Sequence, residues 1–245
     1  MTSPAVRTTH LSKHFDTTRA LDDLTVEIPR GTIFGFLGPN GSGKTTTIRL
    51  LLGLLEPTDG SAQVLGYDTR THAAQIRQRS GALLEHCGLY ERLSAEDNLD
   101  LYGRFWRIET GSRRARIKEL LSHLKLWDRR REVVAGWSRG MKQTLAIARA
   151  LLHRPELVFL DEPTAGLDPI AASALRNDLT TLSSNKGVTV FLTTHNLAEA
   201  EKLCGLVGVV RSGRLLTVAP PAQLKARHGA GSLEEVFHSL VEVMS

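Results

Sequence analysis

The chain has 245 residues, 41% hydrophobic and 23% charged, the composition of a folded globular protein and too apolar for a disordered one; its 21 glycines show no triplet period, which excludes collagen. Lys and Arg total 31 against 26 Asp and Glu, giving +5 at pH 7, a balance that suits nucleic acid, anionic lipid or a phosphate substrate as well as a plain basic surface. No apolar run approaches the ~20 residues that cross a bilayer, and residues 1–10 lack the basic-then-apolar pattern of a secretory leader, so a cytoplasmic chain is expected.

In chain order, residues 6–11 and 24–28 read as short strands with a polar turn between them. The run TIFGFL at 32–37, bounded by glycines, reads as a buried strand, followed by a helix over 44–52 that stops near Gly53 and Pro57. Residues 61–66 read as another strand, and 80–84 as one more. From 98 to 134 the pattern changes: Ile117, Leu120, Leu121 and Leu124 recur at helical spacing without β-branched runs, which predicts a helical insert over roughly 93–140. Helices over 141–153 and 170–184 then alternate with the apolar runs LVFL at 157–160 and VTVFL at 188–192. That alternation predicts an α/β fold with a mostly parallel sheet buried on both faces. Cys87 and Cys204, far apart, make neither a disulfide framework nor a zinc pattern, and the nine histidines show no metal-ligand spacing. The basic run Arg129-Arg130-Arg131 has no interleaved aromatics and is a poor signal for single-stranded nucleic acid.

Two motifs carry chemistry. Gly38-Pro39-Asn40-Gly41-Ser42-Gly43-Lys44-Thr45, continued by Thr46, fits the phosphate-loop pattern between a predicted strand and a predicted helix. Its glycines let the backbone wrap an anion, with amide N–H groups and a helix N-terminus facing it. Lys44 supplies a charge to the β- and γ-phosphates, and Thr45 a hydroxyl to Mg²⁺. The strand at 157–160 ends in Asp161 and Glu162; Asp161 suits a metal, and Glu162 suits a general base that polarises an attacking water.

With these two motifs, the segments around them resemble the ATP-binding subunits of ATP-binding-cassette (ABC) transporters. Trp137-Ser138-Arg139-Gly140-Met141-Lys142-Gln143 is similar to the family's signature sequence. Pro163-Thr164-Ala165-Gly166-Leu167-Asp168 is similar to its D-loop, and Thr193-Thr194-His195 to its switch histidine. The resemblance runs from about Phe15 to Leu224. It implies a P-loop NTPase core, an N-terminal antiparallel β subdomain, a helical subdomain and a short helical tail over roughly 221–245, all in one domain spanning 1–245. It implies ATP and Mg²⁺ as ligands and head-to-tail pairing of two copies. Ser138 and Gly140 would then meet the γ-phosphate held by the other copy, His195 would contact the γ-phosphate, and Asp168 would couple the two sites. Phe15 would stack on adenine, with His14 as the alternative. Read alone, Ser138 is a plain helix N-cap, Asp168 a turn acid, His195 a satisfied polar residue and Phe15 a core aromatic; the ordered set favours the site.

The chain departs from the family pattern at Glu85, where a Gln is usual after the strand at 80–84, and at Arg139 and Met141, where Gly and Gln are usual. Glu85 keeps oxygens for Mg²⁺ or a water but adds negative charge. The segments at 138–143, 88–94 and 233–237 resemble the ABC-2, or drug-exporter, type. The implied function is an ATPase subunit that powers export through a separate transmembrane permease subunit and sits peripherally on the inner face of the cell membrane. The alternative is a non-transport ABC ATPase acting on ribosomes or DNA; no direct nucleic-acid contact is expected under the first reading. A GTPase reading fails because Val188 follows Asn185-Lys186-Gly187 where guanine recognition needs Asp.

Overall fold

A computed structural model of the chain describes residues 3–242. A hairpin of β1 (Val6–Phe15) and β2 (Thr18–Ile28) precedes β3 (Ile33–Leu37) and α1 (Lys44–Leu51). Then come β4 (Asp59–Val64), β5 (Tyr67–Asp68), α2 (Ala73–Arg79) and β6 (Ser80–Leu83). The helices α3 (Ala95–Phe105), α4 (Thr110–His123) and α5 (Arg139–Leu151) follow. The chain continues through β7 (Leu157–Asp161), α6 (Pro169–Lys186), β8 (Thr189–Thr194), α7 (Leu197–Leu203), β9 (Leu206–Arg211) and β10 (Arg214–Ala219). It ends in α8 (Pro221–His228) and α9 (Leu233–Glu242).

The central sheet runs β10-β9-β3-β8-β7-β6. Its strands are parallel except for β10, which pairs antiparallel with β9. Every residue of β3, β7 and β8 is buried, which is why these segments read as unbroken apolar runs: both faces are covered. On one face Phe34, Phe36, Phe159 and Phe191, all essentially fully buried, pack with ring centroids 5.2–6.2 Å apart. This face joins α1 and a second, antiparallel sheet of order β2-β1-β4-β5. Leu37, Leu83, Val158, Leu160, Val190 and Leu192 face the opposite side and pack with α3, α4, α5 and α6. The contact of β6 with α5 is close enough that a Cβ on Gly81 would lie 2.1 Å from the Ala150 carbonyl oxygen.

The N-terminal hairpin is longer than the sequence predicts. Its strands reach Phe15 and restart at Thr18, and Asp16 takes φ +46° in the turn. Polar residues such as Lys13 and His14 lie on an exposed ribbon whose pairing breaks register three times, so the apolar alternation fades before the strand ends. The segment 61–66, expected as a strand, belongs to the antiparallel sheet. The strands β9 and β10 and the helices α2 and α7 are absent from the sequence reading, although LVGVVR carries the apolar run of a buried strand. The insert predicted over 93–140 contains α3 and α4, and the helix expected from 141 begins at Arg139, because Ser138 caps it and accepts a hydrogen bond from the Met141 amide. The last residues of the expected tail, 243–245, lie outside the described residues.

Candidate functional site

Strand β3 delivers the chain into the glycine-rich loop, and α1 begins at Lys44. Gly41 and Gly43 hold φ of +79° and +97°, the left-handed region that glycine enters without cost. A Cβ on Gly43 would lie 2.3 Å from the Ala20 carbonyl oxygen, so the loop closes on β2 only because that atom is missing. Lys44 folds back over the loop and donates to the carbonyls of Gly38 at 2.8 Å and Pro39 at 3.0 Å. Its side chain is 7% exposed. Burial pulls the Lys44 ammonium below the ordinary lysine range, opposed by the negative charges of Glu162 and Asp161. The Ser42 hydroxyl is buried with no hydrogen-bond partner.

One side-chain hydrogen bond joins this loop to the acidic strand end. The Thr45 hydroxyl donates to Asp161 Oδ2 at 2.6 Å. Asp161 sits opposite Thr193 across the β7–β8 ladder, and the Thr193 hydroxyl donates to its other oxygen. Glu162 takes φ +50°, a strained setting for a residue with a side chain. It is held there by its amide donating to the Thr193 carbonyl and by Gln143, whose amide donates to the carbonyls of Glu162 and Pro163 at 3.1 and 3.0 Å. The Glu162 carboxylate lies 3.8 Å from Lys44 Nζ and 3.0 Å from His195 Nδ1.

These groups open on a cavity of about 490 Å³ lined by Asn40, Gly41, Gly43, Lys44, Thr45, Thr46, Glu85, Asp161 and Glu162, with Thr18, Arg19, Arg139 and Gln143 at its wall. Glu85 is exposed and makes a loose 4.0 Å approach to Arg49. Phe15, 42% exposed, stands outside the cavity wall but pairs across the hairpin with Thr18, which lines it; His14 pairs with Arg19 in the same way. Lys13 Nζ lies over the Phe15 ring, 5.0 Å from its centroid. Ser138, Gly140 and Asp168 do not line the cavity of their own chain. Ser138 caps α5 and Asp168 caps α6, accepting from the Ile170 and Ala171 amides at 2.9 Å, and a Cβ on Gly140 would meet Leu167 at 3.2 Å. Sequence reasoning assigned no role to Gln143 or Thr193. Their signal is positional only: one lies a turn into α5, the other one strand over from Asp161.

The sequence profile described as ABC transporter matches residues 21–165. The chain belongs to the ABC transporter family. It is 40% identical over 226 residues to the bacitracin transport ATP-binding protein BcrA of Bacillus licheniformis, a match covering 92% of this chain and 73% of that protein. It is 39% identical over 237 residues to the daunorubicin resistance ATP-binding protein DrrA3 of Streptomyces coeruleorubidus, covering 97% and 75%. Among solved structures, an ATP-binding subunit of an ABC transporter superposes with a TM-score of 0.89 at 31% identity, covering 97% of this chain and 99% of that one. A dimeric ATP-binding cassette in a post-hydrolysis state with ADP and Pi superposes with a TM-score of 0.82 at 25% identity, covering 88% and 98%. As an ABC ATPase, the chain carries an α/β nucleotide-binding fold whose central sheet positions both chemical motifs.

Proposed function

We propose that this ABC ATPase hydrolyses ATP in the cavity between the glycine-rich loop and the end of β7, and that it drives export through a separate transmembrane subunit. The observation that carries the ATPase half is the convergence of Lys44, the Thr45–Asp161 hydrogen bond and Glu162 on one cavity. Lys44 and the loop amides hold the β- and γ-phosphates, and the unpartnered Ser42 hydroxyl fits a further phosphate contact. Glu162 accepts the proton of the attacking water. His195, beside Glu162, orients that carboxylate and the water. Thr45 and Asp161 supply hard oxygens for Mg²⁺, with Glu85 as a further oxygen at the cavity wall, directly or through water; Mg²⁺ when bound neutralises charge on the phosphates. Among the described residues no three His, Cys, Asp or Glu cluster as a metal site, which suits an ion that takes its remaining ligands from nucleotide and water.

Two copies pair head to tail, so that Ser138 and Gly140 of one meet the phosphates held by the other and Asp168 lies at the junction. The cap positions of Ser138 and Asp168 fit this role, since a helix N-terminus favours an anion. Phe15 stacks on the adenine from the edge of the hairpin. The helices α3 and α4, within the insert of roughly 93–140, act as one subdomain and α8–α9 as a tail, within one domain. Among the described residues no helix is long and apolar enough to cross a membrane. In this reading the export path belongs to the transmembrane subunit, and the ATPase sits at the inner face of the membrane through it. Export is favoured over a ribosomal or DNA role because the relatives named above are a transport and a drug-resistance ATP-binding protein. Affinity isolation of the tagged chain from membranes tests this half. The expected companion carries several apolar spans of ~20 residues; recovery with ribosomes instead would refute it.

A further inference from the structure

Asp161 and Glu199 are the buried acidic residues among the described residues. Asp161 has its place beside the phosphate loop. Glu199, on α7, does not line the cavity and has no part in the reaction above. A buried carboxylate is costly unless charge and hydrogen bonds meet it, and here both oxygens are met. Oε2 accepts from the Thr164 hydroxyl, and Oε1 accepts from Arg176 Nη1 on α6 at 3.3 Å. Thr164 is the second residue after Glu162, and Arg176 lies beyond the Asp168 cap of α6, so Glu199 grips the chain on both sides of the segment 165–168. The same residue is tied to His195. The Asn196 side chain accepts from the Glu199 amide at 3.0 Å, and the Asn196 amide donates to the Thr194 hydroxyl at 3.0 Å. One path thus leads from Glu199 through Thr164 to Glu162, and another through Asn196 to His195; they end on side chains 3.0 Å apart.

We propose that Glu199 is a positioning residue for hydrolysis: by holding the Thr164 hydroxyl it registers the turn after Glu162 against the head of α7, and so fixes the Glu162 carboxylate beside His195. This deepens the ATPase reading above and rests on it. Glu162 needs such support because its backbone sits at φ +50°, a setting that persists only where the surroundings over-determine it. Gln143 holds the Glu162 and Pro163 carbonyls, and the Thr164–Glu199 hydrogen bond is the next anchor along the chain. A charged acceptor makes that bond stronger than a neutral pair, and Arg176 on the other oxygen presents the carboxylate to Thr164 in one orientation. A displaced base slows the chemistry without loosening the ligand, because Lys44, Thr45 and the glycine-rich loop form a different part of the cavity wall.

The test compares kcat and KM for ATP, with Mg²⁺, at a temperature where melting curves show each variant folded. Thr164→Val keeps the shape and removes the hydroxyl. Its kcat should fall about tenfold, the size of one hydrogen bond to a charged group, with KM within about twofold of the parent. Thr164→Ser keeps the hydroxyl and should stay within about threefold of the parent kcat. Glu199→Ala removes both contacts and should be at least as slow as Thr164→Val, which leaves the Glu199–Arg176 pair in place and keeps the test open should Glu199→Ala fail to fold. In a Glu162→Gln chain, read by single turnover, Thr164→Val should cost less than about twofold, because the base it positions is gone; a merely structural role would cost the same in both chains. A parent-like kcat in Thr164→Val overturns the proposal, as does a rise in KM at unchanged kcat or the full loss repeated in the Glu162→Gln chain. A parent chain with no turnover would instead refute the ATPase reading on which the proposal rests.

Discussion

Replacing Glu162 by Gln isolates the chemical step from binding. The side chain keeps its length and shape, so the backbone at φ +50° and the Gln143 hydrogen bonds to the Glu162 and Pro163 carbonyls have no reason to change. The Thr45–Asp161 hydrogen bond lies on a neighbouring carboxylate and also survives. What disappears is the basic oxygen 3.0 Å from His195 and 3.8 Å from Lys44. General-base catalysis is worth ~10²–10⁴-fold, or about 3–5 kcal/mol of barrier, and turnover should fall by that factor. ATP affinity should hold or rise, because one negative charge facing the γ-phosphate is gone while Lys44 remains free to serve the ligand. If ATP bridges Lys44 of one copy to Ser138 of the other, a slow variant should accumulate as an ATP-bound pair. Phosphate release and light scattering, both with ATP and Mg²⁺, read the two effects together. Turnover near that of the parent removes Glu162 from the base role; a nucleotide-saturated variant that stays monomeric refutes the bridge in the isolated subunit.

Three further predictions follow from the same geometry. Burial lowers the Lys44 pKa, so between the lowered and the ordinary value the folded chain binds fewer protons than the unfolded one, and this group's contribution to stability rises with pH. Phosphate favours the charged amine, so ATP affinity should fall across that same window, with a midpoint below the ordinary lysine value; a midpoint at or above it would contradict the buried position. Burial pushes the Cys204 thiol up to about 12, whereas Cys87 is half-buried, so a disulfide reagent at neutral pH should modify one thiol in the native chain and both after denaturation; two fast thiols would refute this. Gly81→Ala should destabilise the fold by about 2–3 kcal/mol, lowering Tm by roughly 5–10 °C, because the new methyl meets the Ala150 carbonyl; calorimetry showing an unchanged Tm would refute the close packing of β6 on α5.

The parts of the fold most legible in the sequence are those where one physical constraint acts alone. The runs at 32–37, 157–160 and 188–192 became β3, β7 and β8 because strands covered on both faces admit almost only apolar residues. The phosphate loop was legible because a left-handed backbone and a close approach to Ala20 both demand glycine. The hairpin's true length was not, since the ladder beyond Leu11 is held by backbone pairing and exposed polar residues. Nor was the support of the acidic pair: Gln143 and Thr193 reach Asp161 and Glu162 only after α5 packs on the sheet and β8 pairs with β7. The single chain also places Ser138 and Asp168 as helix caps, the plain role read for Ser138 alone but not for Asp168, which reads as a turn acid; a contact with a second copy adds to that role without competing with it.

The central claim is that the cavity between the glycine-rich loop and β7 hydrolyses ATP. Phosphate release by the purified chain with ATP and Mg²⁺, run beside Lys44→Ala, tests it most directly. Lys44 is the loop's one positive side chain, and its loss leaves the cavity carboxylates Asp161 and Glu162 opposed to the phosphates without it. The account predicts measurable turnover in the parent and none above background in Lys44→Ala; turnover at the parent rate in that variant would place the reaction elsewhere.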